Sequence, residues 1–276
     1  MTSALDWNGR VGDVWAAEWR RTDRSLAGVG AALNAAILDV APQRGSALDI
    51  GCGAGNTALA LAAERPDLSV TGIDLSPALV EIARGRGDGI ANLHFEVGDA
   101  QGLGGRGADL IVSRHGVMFF ADPVAGFAAL RASAVSGARL VFSCFAPRAE
   151  NQWTMVADAA VGNDPAPAAG YAPGPYGLAD ADFTGDVLRR AGWVDAAPQL
   201  APFRYVAGAG PDPVEDALSF LSRIGSAART LADATPERRE VLRASLRDAL
   251  TEHVRDGVVA FDGAAWIWTA TAGESA

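Results

Sequence analysis

The chain has 276 residues, enough for one α/β domain with elaborations but not for two large independent domains. It carries 33 acidic and 23 basic residues, a net charge of -10, and no basic run with interleaved aromatic residues. Nucleic acid and anionic membrane surfaces are therefore poor partners for this chain, because its overall field would repel them.

The two cysteines, Cys52 and Cys144, have neither CxxC spacing nor a nearby histidine. This usage predicts a reduced, cytoplasmic compartment and leaves a single disulfide between them open. Residues 1–7 lack a basic start followed by an apolar core, so no secretory signal is expected.

The first predicted elements are helices that precede the sheet. Residues 25–42 place apolar side chains at helical spacing, interrupted by Asn34 and Asp39, which predicts an amphipathic helix too short and too polar to span a bilayer. Trp15 and Trp19 are four residues apart, so we expect them to share one helix face.

Short apolar runs then alternate with helical patterns, which is typical of βαβ units and a largely parallel sheet. Ser76-Pro77 and Asp122-Pro123 each supply a helix start, with an N-cap followed by proline at the first helical position. Ser136-Gly137 is predicted to turn the chain into the fifth strand. The predicted strands are 47–50, 68–73, 93–97, 110–113 and 139–145, and the intervening helices are 56–64, a helix from Ser76, and 122–135.

The composition changes between Pro147 and Gly177, where Trp153, Tyr171 and Tyr176 lie among proline, alanine and glycine. A structureless loop of this length in a compact domain usually has a functional reason, so we expect an insertion or lid. A dimer interface would use the same aromatic residues, which leaves a homodimer open. Beyond it, the sequence predicts a helix over 180–191, a strand within 193–206, two or more helices over 213–255 broken near Thr235-Pro236, and a final strand over 264–270.

The sharpest motif places Gly51, Gly53 and Gly55 between the first predicted strand and the following helix. Glycines in such a turn let a ligand approach the backbone at the edge where strand order reverses. Glycines in an ordinary tight turn are the alternative. A dinucleotide-binding turn would carry its third glycine one place later, where this chain has Asn56.

Acidic residues mark the ends of three consecutive predicted strands at Asp49, Asp74 and Asp99. Asp74 is placed to accept hydrogen bonds from the two ribose hydroxyls of an adenosine, although such an acid also suits NAD. Asp99 is placed to accept one from an adenine amino group. N-caps and turns are the structural alternatives for both side chains. Three acids at one edge favour a nucleoside site.

With these motifs the chain resembles class I S-adenosylmethionine-dependent methyltransferases of the small-molecule type. The resemblance implies a Rossmann-like seven-stranded sheet with the last strand antiparallel, N-terminal helices, and helical and lid insertions after the late strands. It also implies S-adenosyl-L-methionine as cofactor, S-adenosyl-L-homocysteine as product, and in-line methyl transfer to a small molecule. The matching segments are Leu48 to Gly55, Gly72 to Asp74, Gly98 to Ala100, Ala108 to Pro123 and Gly137 to Phe145.

The resemblance also implies which residues bind the cofactor. Ser113 and Arg114 are expected near its amino end, and Trp15 or Trp7 is expected to close over the site, with core packing as the alternative. His115 is a candidate general base for a hydroxyl acceptor, with a structural role as the alternative. No metal is expected. The full cofactor set is Asp49, Gly51, Cys52, Gly53, Gly55, Asp74, Leu75, Asp99, Ala100, Ser113, Arg114 and Trp15.

Three classes of function follow, led by a small-molecule methyltransferase. An NAD-dependent oxidoreductase is disfavoured by Asn56 and by the absence of lysine, which rules out a Tyr-Lys pair. A non-catalytic, S-adenosylmethionine-binding regulatory protein stays open, because binding motifs do not demonstrate turnover. We expect one domain over 1–276, with cap helices in 1–45, a cofactor core in 46–146, a lid in 147–178 and the rest of the sheet in 179–276, including a helical insertion over 211–256.

Overall fold

The structure is a computed structural model that describes residues 7–164 and 170–274, so Pro165 and Pro167 of the predicted lid lie outside it. Its strands form one mixed sheet in the order β3-β2-β1-β4-β5-β8-β6, with β7 paired to β8. The strands are β1 (Gly45–Ile50), β2 (Leu68–Asp74), β3 (Leu93–Val97), β4 (Ala108–Arg114), β5 (Ala134–Phe145), β6 (Trp193–Gly208), β7 (Val254–Arg255) and β8 (Val258–Ala272).

Strands β1 to β5 pair in parallel, whereas β8 is antiparallel to both β5 and β6. This arrangement confirms the predicted sheet with its last strand antiparallel. The strand order reverses between β1 and β4, which places a crevice at the carboxyl ends of those two strands. The predicted glycine turn directly follows β1 and so lies at this crevice.

Helices precede, connect and follow the strands. They are α1 (Arg10–Ala17), α2 (Trp19–Ser25), α3 (Ala27–Val40), α4 (Asn56–Glu64), α5 (Pro77–Arg86), α6 (Pro123–Ala132), α7 (Gln152–Val161), α8 (Ala181–Arg190), α9 (Pro213–Leu221), α10 (Ser226–Asp233) and α11 (Pro236–Thr251). Ser76, Asp122 and Thr235 accept backbone N–H groups as N-caps, each followed by proline, as predicted. Within the described residues, no helix is long and apolar enough to cross a membrane.

The core surrounds the centre of the sheet. Leu110, Ile111 and Val112 in β4 are all fully buried, as expected for a parallel strand covered on both faces. Helix α3 packs on β5, β6 and β8 through Val29, Leu33 and other buried apolar residues, while α6 packs on β5 and α8 on β6.

Three predictions about local structure are wrong in detail. Strand β5 begins at Ala134, so Ser136-Gly137 lies inside it, where the left-handed Gly137 (φ 78°) accompanies a shift in pairing register with β4. The first helix ends at Ala17, so Trp15 and Trp19 belong to different helices. The segment predicted as a structureless lid contains α7. The disulfide that the sequence left open is not formed, since both cysteines are free and buried.

Helix α7 forms because Trp153, Ala157 and Val161 recur at helical spacing and are all buried. It ends at the left-handed Gly162, a common way for a helix to stop. The surrounding proline and glycine conceal this pattern in the sequence.

Candidate functional site

A cavity of about 1710 Å³ lies at the carboxyl ends of β1 and β4. The turn after β1, helices α1 and α2, and residues from α7 and α10 all line it. A single small-ligand pocket usually has about 300–1,000 Å³, so this cavity has room for two small molecules side by side.

The three glycines of the glycine turn, residues 51–55, all have positive φ but differ in what surrounds them. Gly51 (φ 62°) approaches Gly116 so closely that a Cβ would lie 2.8 Å from the Gly116 Cα. Gly55 (φ 85°) packs against the Phe95 ring, where a Cβ would lie 2.7 Å away, and it does not itself line the cavity. Gly53 (φ 55°) lines the cavity, and a Cβ there would meet no atom within 4 Å. The turn therefore exposes backbone at Gly53 and is fixed at its two ends.

Asp49 lies near the end of β1 and also lines the cavity. Its Oδ2 accepts the Ala58 N–H at 3.1 Å, while its Oδ1 is buried without a hydrogen-bond partner among the described residues. Burial raises the pKa of Asp49 to about 7, although the nearby Arg114 opposes the shift. A buried carboxylate oxygen without a partner is complementary to a cationic or N–H group of a ligand.

Asp74 holds the glycine turn from the end of β2. Its Oδ2 accepts the Gly53 N–H at 2.8 Å and its Oδ1 accepts the Ser76 N–H at 2.9 Å. Burial raises the pKa of Asp74, and these two backbone N–H groups oppose the shift. Each carboxylate oxygen keeps a further lone pair that can accept a ligand hydroxyl.

The remaining predicted residues of this wall lie at the ends of β1, β2 and β3. Cys52, Leu75, Asp99 and Ala100 all line the cavity. Asp99 caps the short turn at Ala100–Gly102 by accepting the Gln101 N–H at 2.9 Å, so the structural alternative for Asp99 is confirmed. Its side chain remains exposed, and its predicted role in binding adenine stays a prediction.

Ser113 and Arg114 at the end of β4 have different positions. The buried Ser113 hydroxyl donates to the Ile50 carbonyl at 2.7 Å and accepts the Gly116 N–H at 3.2 Å, and Ser113 does not line the cavity. It ties β4 to β1 instead of facing the cavity. Arg114 does line the cavity, and its guanidinium donates to Asp23 at 2.6 Å.

Asp23 in α2 joins several elements around the glycine turn, and the sequence analysis did not identify it. Besides Arg114, it accepts hydrogen bonds from Arg86 at 3.1 Å and Asn56 at 3.4 Å. These partners come from β4, α5 and α4, so no local spacing in the sequence marks the group. The ion pairs hold α2 against the turn.

The N-terminal cap, helices α1 and α2, covers the same end of the cavity. Trp7 and Trp15 both line it, with ring centroids 6.0 Å apart, and Trp7 also meets the edge of Phe119 at 5.1 Å. Ala16 of α1 packs with Ala54 and Leu79. The tryptophans are therefore placed over the cavity, where the sequence predicted one of them.

His115 follows β4 with a left-handed backbone (φ 62°), which is uncommon for a residue with a side chain. Its Nδ1 lies 2.8 Å from the Ser143 Oγ, its ring meets the edge of Phe145 at 4.3 Å, and its buried Nε2 has no hydrogen-bond partner among the described residues. Burial, together with the charge of Arg114, lowers the pKa of His115 to about 3. The imidazole is therefore neutral at physiological pH.

The aromatic wall of the cavity consists of Phe145, Trp153, Tyr176 and Tyr205. Trp153 stacks on Tyr205 at 4.7 Å with the planes 9° apart. Phe145 lies 5.8 Å from Trp153 and 5.9 Å from Tyr176. Trp153 and Tyr176 lie in the segment predicted as a lid, whereas Phe145 and Tyr205 come from β5 and β6, which no local sequence signal connects with that segment.

Buried polar atoms that lack hydrogen-bond partners are concentrated around this cavity. Seven of the twelve such side chains in the described residues line it, although buried polar groups in folded proteins are normally hydrogen-bonded. This concentration is typical of a site that a ligand completes. The seven are Thr22, Asp49, His115, Arg148, Trp153, Tyr176 and Ser226.

The fold of the chain is similar to that of solved methyltransferase structures, and one stretch of the chain matches a methyltransferase profile. Residues 47–135, which include the glycine turn, Asp74 and Asp99, match a family profile described as a methyltransferase domain.

Two curated relatives match short stretches of the chain. The trans-aconitate 2-methyltransferase of Methylobacterium radiotolerans is 46% identical over 54 residues, 20% of each chain. The release factor glutamine methyltransferase of Koribacter versatilis is 39% identical over 83 residues, 28% of this chain and 30% of that protein. The chain thus matches less than a third of the length of either relative.

Among solved structures, phosphoethanolamine N-methyltransferase 2 of Haemonchus contortus in complex with S-adenosyl-L-methionine has a similar fold. The TM-score is 0.59 at 19% identity, over 99% of this chain and 61% of that one. At this identity the likeness concerns the fold.

Proposed function

We propose that the protein transfers a methyl group from S-adenosylmethionine to a small molecule within this cavity. One observation carries the proposal: the open backbone at Gly53, the unpartnered Asp49 Oδ1 and the Asp74 carboxylate meet at the point where the strand order reverses. This set of groups suits a ligand that has both an ammonium group and a ribose.

The residues fit the cofactor as follows. Asp49 would accept its ammonium group, Asp74 its ribose hydroxyls and Asp99 its adenine amino group, while Cys52, Leu75 and Ala100 would pack against it. S-adenosylmethionine, when bound, supplies a methyl group activated on a sulfonium. The protein then has to exclude water and align the acceptor, which the cap and α7 can do by covering the cavity.

His115 would orient the acceptor. A group whose pKa lies near 3 retains little of a transferred proton at neutral pH, so His115 suits a hydrogen bond to the nucleophile better than permanent uptake of its proton. His115 lines the cavity, and its Nε2 has no other hydrogen-bond partner among the described residues.

A small-molecule acceptor fits the cavity volume of about 1710 Å³. It also fits the charge of -10, which disfavours nucleic acid and anionic membranes. We extend the proposal to one domain in which 147–178 and the helices within 211–256 cover the core formed by 46–146. Two free, buried cysteines agree with a reduced, cytoplasmic compartment.

Isothermal titration calorimetry with S-adenosylhomocysteine and with NAD tests the proposal. We expect saturable binding of S-adenosylhomocysteine that NAD does not displace. Tight NAD binding without any response to S-adenosylhomocysteine would refute it. Binding of both S-adenosylmethionine and its product without methylation of any tested acceptor would favour the non-catalytic alternative.

A further inference from the structure

Two donors on and beside the aromatic wall indicate which chemical groups the acceptor molecule carries, provided that the proposed function holds. Trp153 Nε1 and Arg148 Nε are buried N–H donors without partners among the described residues, and both residues line the cavity. Neither atom can accept a hydrogen bond. A ligand that satisfies them must therefore present an oxygen or another acceptor atom.

A cationic acceptor would suit this wall less well, although clusters of aromatic rings can bind ammonium groups. Trp153 and Tyr205 lie face to face at 4.7 Å, so no cation fits between these two rings. The nearby buried carboxylate of Asp158 is already paired with Arg148 at 2.6 Å and with Asn163 at 2.8 Å. This side of the cavity therefore holds two N–H donors and the Tyr176 hydroxyl, which can donate or accept, without an uncompensated negative charge.

The same wall reaches the reacting end of the cavity through Phe145. The Phe145 ring centroid lies 4.3 Å from His115 and 5.8 Å from Trp153, so a molecule of one or two rings can extend from one to the other. His115 is followed by Gly116, which contacts the glycine turn at Gly51. The His115 end of the molecule would thus lie toward the cofactor, and its other end would lie at Trp153.

We infer that the acceptor is a planar, mainly apolar phenol or enol with a carbonyl oxygen at the end opposite its nucleophile, and that Trp153 Nε1 binds that oxygen. The acceptor hydroxyl oxygen would form the new bond to the methyl carbon. The methyl–sulfur bond would break with its electron pair passing to sulfur, and the hydroxyl proton would pass to water. Trp153 thereby determines specificity without touching the reacting atoms.

Three phenols that differ only at the far end test this inference by calorimetry on the S-adenosylhomocysteine complex: 4-hydroxyacetophenone, 4-ethylphenol and tyramine. The carbonyl compound should bind about five- to tenfold more tightly than 4-ethylphenol, which corresponds to about one hydrogen bond. Trp153→Phe keeps an aromatic ring, removes the N–H, and should reduce this preference to within about twofold.

Trp268→Phe is the matched control, because Trp268 is also a buried tryptophan but lies outside the cavity wall. It should leave the preference unchanged. Thermal melting checks that both variants fold; if Trp153→Phe does not, the ranking of the three probes by the unmodified protein decides.

An unchanged preference in folded Trp153→Phe, tightest binding of tyramine, or no binding of any probe would overturn the inference. Failure of S-adenosylhomocysteine to bind would overturn the proposed function as well, so the two failures can be told apart.

Discussion

The two walls of the cavity are built in different ways. The glycine turn is held through its own backbone. The Asp74 carboxylate accepts the Gly53 N–H, and the Gly51 backbone lies directly against Gly116. The aromatic wall is held by side-chain packing between residues from β5, α7, β6 and the segment at Tyr176. One wall therefore depends on backbone conformation and the other on the choice of side chains.

This difference explains where the family profile matches. The family profile covers residues 47–135, which contain the glycine turn, whereas every residue of the aromatic wall lies beyond it. A backbone-built wall tolerates few substitutions, so it suits a ligand that does not change. A wall of packed side chains can be altered without rebuilding the sheet, so it suits a ligand that differs from one protein to the next.

The strongest test of this comparison replaces one glycine on each side of the cavity. Gly51→Ala should lower the free energy of unfolding by about 2–4 kcal/mol, because it combines left-handed strain with overpacking against Gly116. We expect it to weaken S-adenosylhomocysteine binding about a hundredfold, or about 2.7 kcal/mol. Urea unfolding and calorimetry measure the two effects.

Gly225→Ala is the control, since Gly225 also has a positive φ (102°) but a Cβ there would only contact Trp153 at 3.4 Å. It should cost about 1–2 kcal/mol of stability and change cofactor affinity by less than about twofold. Equal losses of affinity in the two variants would contradict the proposed division between the walls.

The next test compares Asp74 and Asp99, two acidic residues on the same side of the cavity as the glycine turn. Asp74→Ala should weaken S-adenosylhomocysteine binding by about 1.5–3 kcal/mol and also destabilise the fold, because the Gly53 and Ser76 N–H groups lose their acceptor. Asp99→Ala removes an exposed cap and should cost about 1 kcal/mol of stability. Calorimetry measures the loss of affinity and urea unfolding the loss of stability in both variants. Smaller losses in Asp74→Ala than in Asp99→Ala would count against the proposal that Asp74 both holds the glycine turn and binds the cofactor.

The smallest expected effect is a dependence of cofactor affinity on pH. Because the pKa of Asp49 is raised to about 7, the free protein holds a proton there below that pH, and binding of an ammonium group must release it. The affinity for S-adenosylhomocysteine should therefore rise by up to about tenfold between pH 6 and pH 8. Asp49→Asn should abolish this rise. If the affinity of Asp49→Asn rises as much between pH 6 and pH 8, the pH dependence belongs to another titrating group.

The same carboxyl affects the stability of the fold with the opposite sign. Its pKa lies near 7 in the folded chain and near 3.9 in the unfolded chain, so only the unfolded chain ionises freely between these values. Asp49 therefore lowers stability as pH rises from about 4 to about 7.

The sequence predicted the glycine-turn side well because its signals are local. Capping residues and prolines fixed the helix starts at Ser76, Asp122 and Thr235, and the bounds of α4 and β3 agree with the prediction. All the predicted cofactor residues except Gly55 and Ser113 line the cavity.

The other features of the site could not be predicted, because they depend on residues that are distant in the sequence. Asp23 forms its ion pairs with Arg86 and Arg114, which are far from it in sequence. The burial of Asp74 beneath Gly53 requires the turn to fold over it. Tyr205 joins the aromatic wall only because β6 pairs with β8 at the far edge of the sheet.

The attachment of the N-terminal cap also constrains the order of folding. Arg21 pairs with Asp216 across a sequence separation of 195, and Arg24 donates to the Val206 carbonyl across a separation of 182. These contacts do not exist until β6 and α9 have formed, and closing such long loops costs more conformational entropy than closing short ones. Although the cap helices are synthesised before the sheet, their docking over the cavity must await β6 and α9, which are synthesised later.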